Sequence, residues 1–90
     1  MKELKITSQF KKDLKKYKNQ TQKIAKLKEV LVILQNGEAL PQKYSPHRLL
    51  GEDKGCMEGH IENDTRLIWI DEELNIIKLL RLGSHSELFR

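Results

Sequence analysis

The sequence predicts an α+β fold: one strand, two helices packed on one face of a sheet, and then an antiparallel β-meander that completes the sheet. Three observations carry that prediction. The first 35 or so residues hold a short alternating stretch and then two stretches with a helical apolar period. Residues 56–82 hold three apolar runs joined by short turn signals. Pro41 and Pro46 separate the two regions. The length of 90 residues predicts a single domain, residues 1–90, with one core that buries about 60–70% of the surface the unfolded chain exposes.

The elements follow in order. Leu4-Lys5-Ile6-Thr7 alternates apolar with polar and predicts the first strand. Ser8 reads as a helix N-cap, after which Phe10, Leu14 and Tyr17 fall at i, i+4 and i+7 and form one apolar stripe. Lys11, Lys12, Lys15, Lys16 and Lys18 lie between them, and Lys11 and Lys12 in the first turn oppose the helix dipole. A charge kept against that penalty suggests another demand on it. Asn19-Gln20 breaks the run. Thr21 reads as the cap of a second helix, antiparallel to the first, in which Ile24, Leu27, Leu31 and Leu34 recur at i, i+3, i+7 and i+10 and Asn36-Gly37 supplies a left-handed stop. The two prolines hold residues 37–47 out of regular structure, and that loop carries Tyr44 and His47. Leu49-Leu50 reads as a short strand and Gly51 to Gly55 as a turn. Residues 56–62, 65–70 and 74–82 then form the meander through Asn63-Asp64 and Asp71-Glu72-Glu73. In its first strand, period-2 alternation puts Glu58, His60 and Glu62 on one face and Met57, Gly59 and Ile61 on the other.

Charge is distributed unevenly. The net charge of +4 divides into +7 for residues 1–45, with eleven lysines against four acids, and −3 for residues 46–90, with six basic residues against nine acids. Lysine is a strongly hydrated point charge suited to phosphate backbones rather than to reading bases. Lys11, Lys12, Lys15 and Lys16 are therefore candidate contacts for a polyanion, set against the simpler reading that they form a solvated helix face. The single cysteine, Cys56, allows no intramolecular disulfide and fits a reducing compartment. No stretch approaches the roughly 18 apolar residues of a membrane span, and the N-terminus begins no secretory apolar region. A cytoplasmic protein with no membrane partner is expected.

The three histidines, His47, His60 and His85, each stand at the end of an apolar run or in a Gly/Pro/Ser-marked turn. Histidine accepts and donates a proton near neutral pH, so two converging on one cleft can act as base and acid. That is one way to cleave RNA without a metal.

The loop Tyr44-Ser45-Pro46-His47, the hairpin His60-Ile61-Glu62-Asn63-Asp64 and above all the ending Arg81-Leu82-Gly83-Ser84-His85-Ser86-Glu87-Leu88-Phe89 resemble the YafQ branch of the RelE/ParE toxin superfamily. The order of elements matches over essentially the whole chain. The resemblance implies a toxin of a toxin–antitoxin pair that cleaves messenger RNA on the ribosome and is held inactive by a cognate antitoxin. Its partners would be that antitoxin, the ribosome and mRNA, with no small-molecule cofactor. Carried over by position, it makes His47, His60, Asp64, His85 and Phe89 the active site, with Arg81 as cationic support. Transfer to a neighbouring 2′-hydroxyl needs a base for that hydroxyl, positive charge on the phosphorane-like transition state and an acid for the leaving 5′-oxygen. His85 is assigned the acid, His60 or Asp64 the base, and Arg81 with a protonated His47 the charge stabilisation. Phe89 offers a stacking face for an unpaired base, the alternative being a C-terminal core plug. The chain departs from the family pattern in reading His47-Arg48-Leu49 where His-Pro-Leu is usual. It has Cys56 and Met57 in place of an aromatic residue and an arginine, and Asn63 in place of a proline.

Rival readings are a ParE-like toxin that inhibits gyrase by binding, which needs no histidine constellation, and an inert nucleic-acid-binding module. A metal site could draw on His47, His60, His85, Asp64 and Cys56. No pair shows a short ligand spacing such as C-x-x-C or H-x-x-x-H, so no metal is expected.

Overall fold

A computed structural model describes residues 1–49, 55–72 and 75–89. The order is β1 (Glu3–Ile6), α1 (Ser8–Lys15), α2 (Thr21–Gln35), a 3-10 turn (Gln42–Tyr44), β2 (His47–Arg48), β3 (Cys56–Glu62), β4 (Thr65–Glu72), β5 (Ile76–Gly83) and α3 (His85–Leu88). The five strands form one sheet in the order β1-β5-β4-β3-β2. β3, β4 and β5 are the predicted antiparallel meander, and β1 lies parallel to β5 with Glu3 opposite Ile76 and Ile6 opposite Leu79. The α+β class predicted from sequence is the one observed.

α1 packs on β5 and α2 on β3. Between helices and sheet lies a core of Phe10, Tyr17, Leu27, Val30, Leu34, Ile61, Leu67, Trp69, Ile77, Leu79 and Leu82, with Leu40 and Tyr44 from the loop. In α2 the deepest positions are Leu27, Val30 and Leu34, while Ile24 and Leu31 flank them half-buried. The buried stripe thus keeps Leu27 and Leu34 from the predicted one and adds Val30 between them. No helix among the described residues is long and apolar enough to cross a membrane.

Local chemistry explains several boundaries. The cap of α1 is Thr7, not Ser8: its hydroxyl accepts from the Phe10 amide at 3.1 Å. Thr21 is the first helical residue of α2, and Gln20 stands in the cap position without a side-chain bond. Gly37 closes α2 at φ +74°, with its amide donating to the Leu34 carbonyl. The strand expected at Leu49-Leu50 is not found at Leu49; the short strand here is His47–Arg48, pairing with Glu58 and Met57. Leu50, the greater part of the Gly51–Gly55 turn, and Glu73 and Leu74 lie outside the described residues.

Candidate active site

The site is assembled from three places: the loop entering β2, the β3–β4 hairpin and the turn after β5. Ser45, in the left-handed region at φ 47°, ends the 3-10 turn and swings the chain into β2. Its carbonyl lies 2.7 Å from His47 Nδ1, and the other ring nitrogen, Nε2, lies 3.0 Å from Glu58 Oε1. Both nitrogens therefore face acceptors, an arrangement satisfied in full by the doubly protonated imidazolium.

Glu58 is the hub. Its side chain is 2% exposed, and its Oε1 lies 3.0 Å from His47, 3.8 Å from His60 Nε2 and 3.5 Å from Arg66 Nη1. Register explains the convergence, since His47 lies opposite Glu58 across β2–β3 and His60 opposite Arg66 across β3–β4. The His47 and His60 rings stand edge to face with centroids 6.2 Å apart. Glu58 Oε2 and Arg66 Nε are buried with no hydrogen-bond partner among the described residues.

The chain of contacts continues to the C-terminal turn. Arg66 Nη2 lies 3.4 Å from Asp64 Oδ1, and the other Asp64 oxygen accepts from the His85 amide at 3.2 Å. His85 opens α3, and its ring lies against Phe89 with centroids 5.1 Å apart. Phe89 is half-buried and outside the core cluster, so it is not a core plug. His47, Glu58, His60, Arg66, Asp64, His85 and Phe89 thus form one continuous network along the sheet end. His47 and His85 are exposed, and His60 is half-buried.

Arg81 is placed differently from the other expected site residues. Its Nε donates to Asp13 Oδ2 at 2.9 Å and its Nη2 reaches Asp13 Oδ1 at 3.5 Å. Asp13, in α1, is 1% exposed and also accepts from the Leu82 amide at 3.0 Å. β1 ends at Ile6 opposite Leu79, so the edge of β5 beyond it is open and Asp13 takes up that donor. Burial pushes the Asp13 carboxyl up, but the bonds from Arg81, the Leu82 amide and Gln9 outweigh it and hold it below the usual carboxylate range. Lys11, Lys12, Lys15 and Lys16 are all exposed along α1, and Lys16 Nζ lies 3.6 Å from Glu87.

One expectation needs correction. Glu62 does not share the His60 face. A bulge between His60 and Glu62 resets the alternation, and Glu62 meets Lys26 of α2 at 3.2 Å. Among the described residues, Glu58 is the carboxylate within ion-pair distance of His60. Asn63 stands at φ 51°, a left-handed conformation that Asn tolerates and that the ring of proline forbids, so the hairpin turn is built without the usual proline. The assignments missed Glu58 and Arg66. The alternation that placed Glu58 beside His60 was visible, but nothing local marked it as buried, and Arg66 is identified only by strand pairing.

Beside His60 lies an open cleft of about 400 Å³ lined by Lys26, Glu29, Lys43, Tyr44, Ile61, Glu62 and Asn63. Among the described residues, no group of three or more His, Cys, Asp or Glu side chains has a metal-holding arrangement. Cys56 is buried.

The family model for the bacterial toxin of type II toxin–antitoxin systems, YafQ, matches residues 2–90. The mRNA interferase toxin YafQ of Escherichia coli (strain K12) is 31% identical over 88 residues, 97% of this chain and 95% of that one. Among solved structures, a copper-bound mutant toxin from Helicobacter pylori superposes with a TM-score of 0.91 at 36% identity, covering 99% of this chain and 100% of that one. A chain of the E. coli DinJ–YafQ complex superposes with a TM-score of 0.86 at 30% identity, with 100% of each chain covered.

Proposed function

The chain belongs to the YafQ family of bacterial toxins of type II toxin–antitoxin systems, and from that premise we propose that it is an endoribonuclease that cuts messenger RNA on the ribosome by metal-independent acid–base catalysis. The observation that carries this reading is the unbroken network from His47 through Glu58, Arg66 and Asp64 to the His85 amide. It supports two histidines able to exchange protons with a substrate lying across the sheet end.

In this mechanism the 2′-oxygen attacks the adjacent phosphorus as His60 takes its proton. His60 is preferred to Asp64 because both Asp64 oxygens are already engaged, by Arg66 and by the His85 amide. The bond from phosphorus to the 5′-oxygen breaks as His85 donates a proton to the leaving oxygen, giving a 2′,3′-cyclic phosphate and a 5′-hydroxyl. With neutral imidazoles, Glu58 and Asp64 against Arg66 leave the cluster one charge negative, which disfavours a phosphorane. A protonated His47 and His85 reverse that sign, and Arg66 supplies the fixed cation. Arg81 acts from behind, holding the end of β5 through Asp13. Phe89 stacks on an unpaired base next to the cut, and the strand continues through the cleft beside His60. The lysines of α1 dock on ribosomal RNA, and a cognate antitoxin, as in the DinJ–YafQ pair, keeps the toxin inactive.

The test is to map mRNA ends on purified ribosomes with and without the protein. Discrete cuts that vanish in the His85→Ala variant support the reading. Intact mRNA together with inhibited gyrase would select the ParE-like alternative.

A further inference from the structure

We infer that Tyr17 is a positioning residue for His85, acting through Glu87. This rests on the proposed role of His85 as the acid. α3 has only four residues, so neither helix propensity nor length can hold His85 in place. A capping box does that instead: the Ser84 hydroxyl accepts from the Glu87 amide at 3.2 Å, and Glu87 Oε1 accepts from the Ser84 amide at 2.8 Å. The same Glu87 oxygen accepts from the Tyr17 hydroxyl at 3.0 Å, 70 residues away in sequence. The Tyr17 ring is in the core, 7% exposed, and therefore presents its hydroxyl from a fixed base. A surface turn is thereby tied to the core through one oxygen.

Two further observations agree. A methyl group added at Gly83 would come within 3.1 Å of Glu87 Oε1 and 3.3 Å of Leu88 Cδ2, so the residue before the turn has no side chain to displace the carboxylate. Burial and then Glu87 push the Tyr17 phenol up to about 12, while the Ser84 amide and the Tyr17 hydroxyl hold Glu87 down at about 2. The donor stays protonated and the acceptor ionised throughout any working pH.

Single-turnover cleavage with excess ribosomes, measured beside ribosome affinity, tests this. Tyr17→Phe keeps the ring and removes only the hydroxyl. It is expected to slow cleavage on the order of tenfold, as a sub-ångström misplacement of a proton donor does, with affinity unchanged. Glu87→Gln, which retains an acceptor for both donors, should keep most of the rate, whereas Glu87→Ala should fall at least as far as Tyr17→Phe. In a His85→Ala background, Tyr17→Phe should cost nothing further. A wild-type rate for Tyr17→Phe overturns the inference and leaves the acid role of His85 standing. The same loss in the His85→Ala background also overturns it, because Tyr17 would then act elsewhere. A wild-type rate for His85→Ala alone removes the acid role and the inference with it.

Discussion

Glu58 occupies a strand position whose side chain is almost wholly enclosed, and one of its oxygens meets two imidazoles and a guanidinium while the other has no partner among the described residues. A buried carboxylate is tolerated only where its charge is compensated, and removing Arg66 takes away the one fixed cation among the partners named for Glu58. Arg66→Met should therefore destabilise the domain by roughly 3 kcal/mol, and Arg66→Met with Glu58→Gln should recover part of that without recovering cleavage. Denaturant unfolding of the single and double variants measures both; additive losses would show that the two side chains are not coupled. The histidines behave oppositely. His60→Gln and His85→Ala remove little buried apolar area, so each should abolish most cleavage and move the thermal midpoint by no more than a few degrees. An unfolded variant, or one with full activity per folded molecule, would assign that histidine to structure. The histidines at positions 47, 60 and 85 were legible because turn signals and acid–base chemistry coincide there, and Asp64 and Phe89 were legible only through the family resemblance. Glu58 and Arg66 were not, because their roles come from cross-strand register.

α1 is the element whose role changes most between sequence and structure. Its spacing announced an apolar stripe and a lysine face, but Asp13, lying amid the lysines, reads as one more solvated charge. In the fold it is buried at the open edge of β5, and Tyr17 reaches Glu87 from the turn just beyond the helix. Both contacts titrate with a definite sign. Glu87 falls from 4.5 to about 2 on folding and Asp13 also falls. Their contribution is thus complete above their unfolded values and lost as pH drops through the folded ones. Tyr17, raised from 10.0 to about 12, contributes below pH 10 and loses that contribution as pH rises towards 12. Amide exchange in β5 and α3 should accelerate at both extremes, with Glu87→Gln flattening the acid limb; exchange uniform along the chain at low pH would contradict the clamp. The exposed face of the same helix makes a separate prediction. Neutralising Lys11, Lys12, Lys15 and Lys16 should weaken ribosome binding and flatten its salt dependence by up to about 0.9 log units per lost phosphate contact, taking duplex DNA as guide. An unchanged slope would return these lysines to solvation.

Across the whole molecule, the two halves that differ in charge also differ in task. The lysine-rich half supplies α1 and α2, and the acidic half supplies α3 and the meander that carries most of the network. That division was visible in composition and period, because helical and strand periodicities occupy separate stretches of the chain. The parallel pairing of β1 with β5 was not visible, since four residues at one terminus carry no signal of which strand they join. The bulge after His60 was equally hidden, as alternation alone assumes an unbroken ladder. The proposed chemistry moves protons between histidines and an RNA 2′-hydroxyl. It is tested most directly with a ribosome-bound mRNA carrying 2′-O-methyl at the mapped cut site, at fixed magnesium and with a zinc-selective chelator present. The unmodified message should still be cut, leaving a 2′,3′-cyclic or 3′-phosphate and a 5′-hydroxyl, and the methylated message should survive. Cleavage of the methylated message, or a 5′-phosphate on the downstream fragment, would contradict the roles given to His60 and His85.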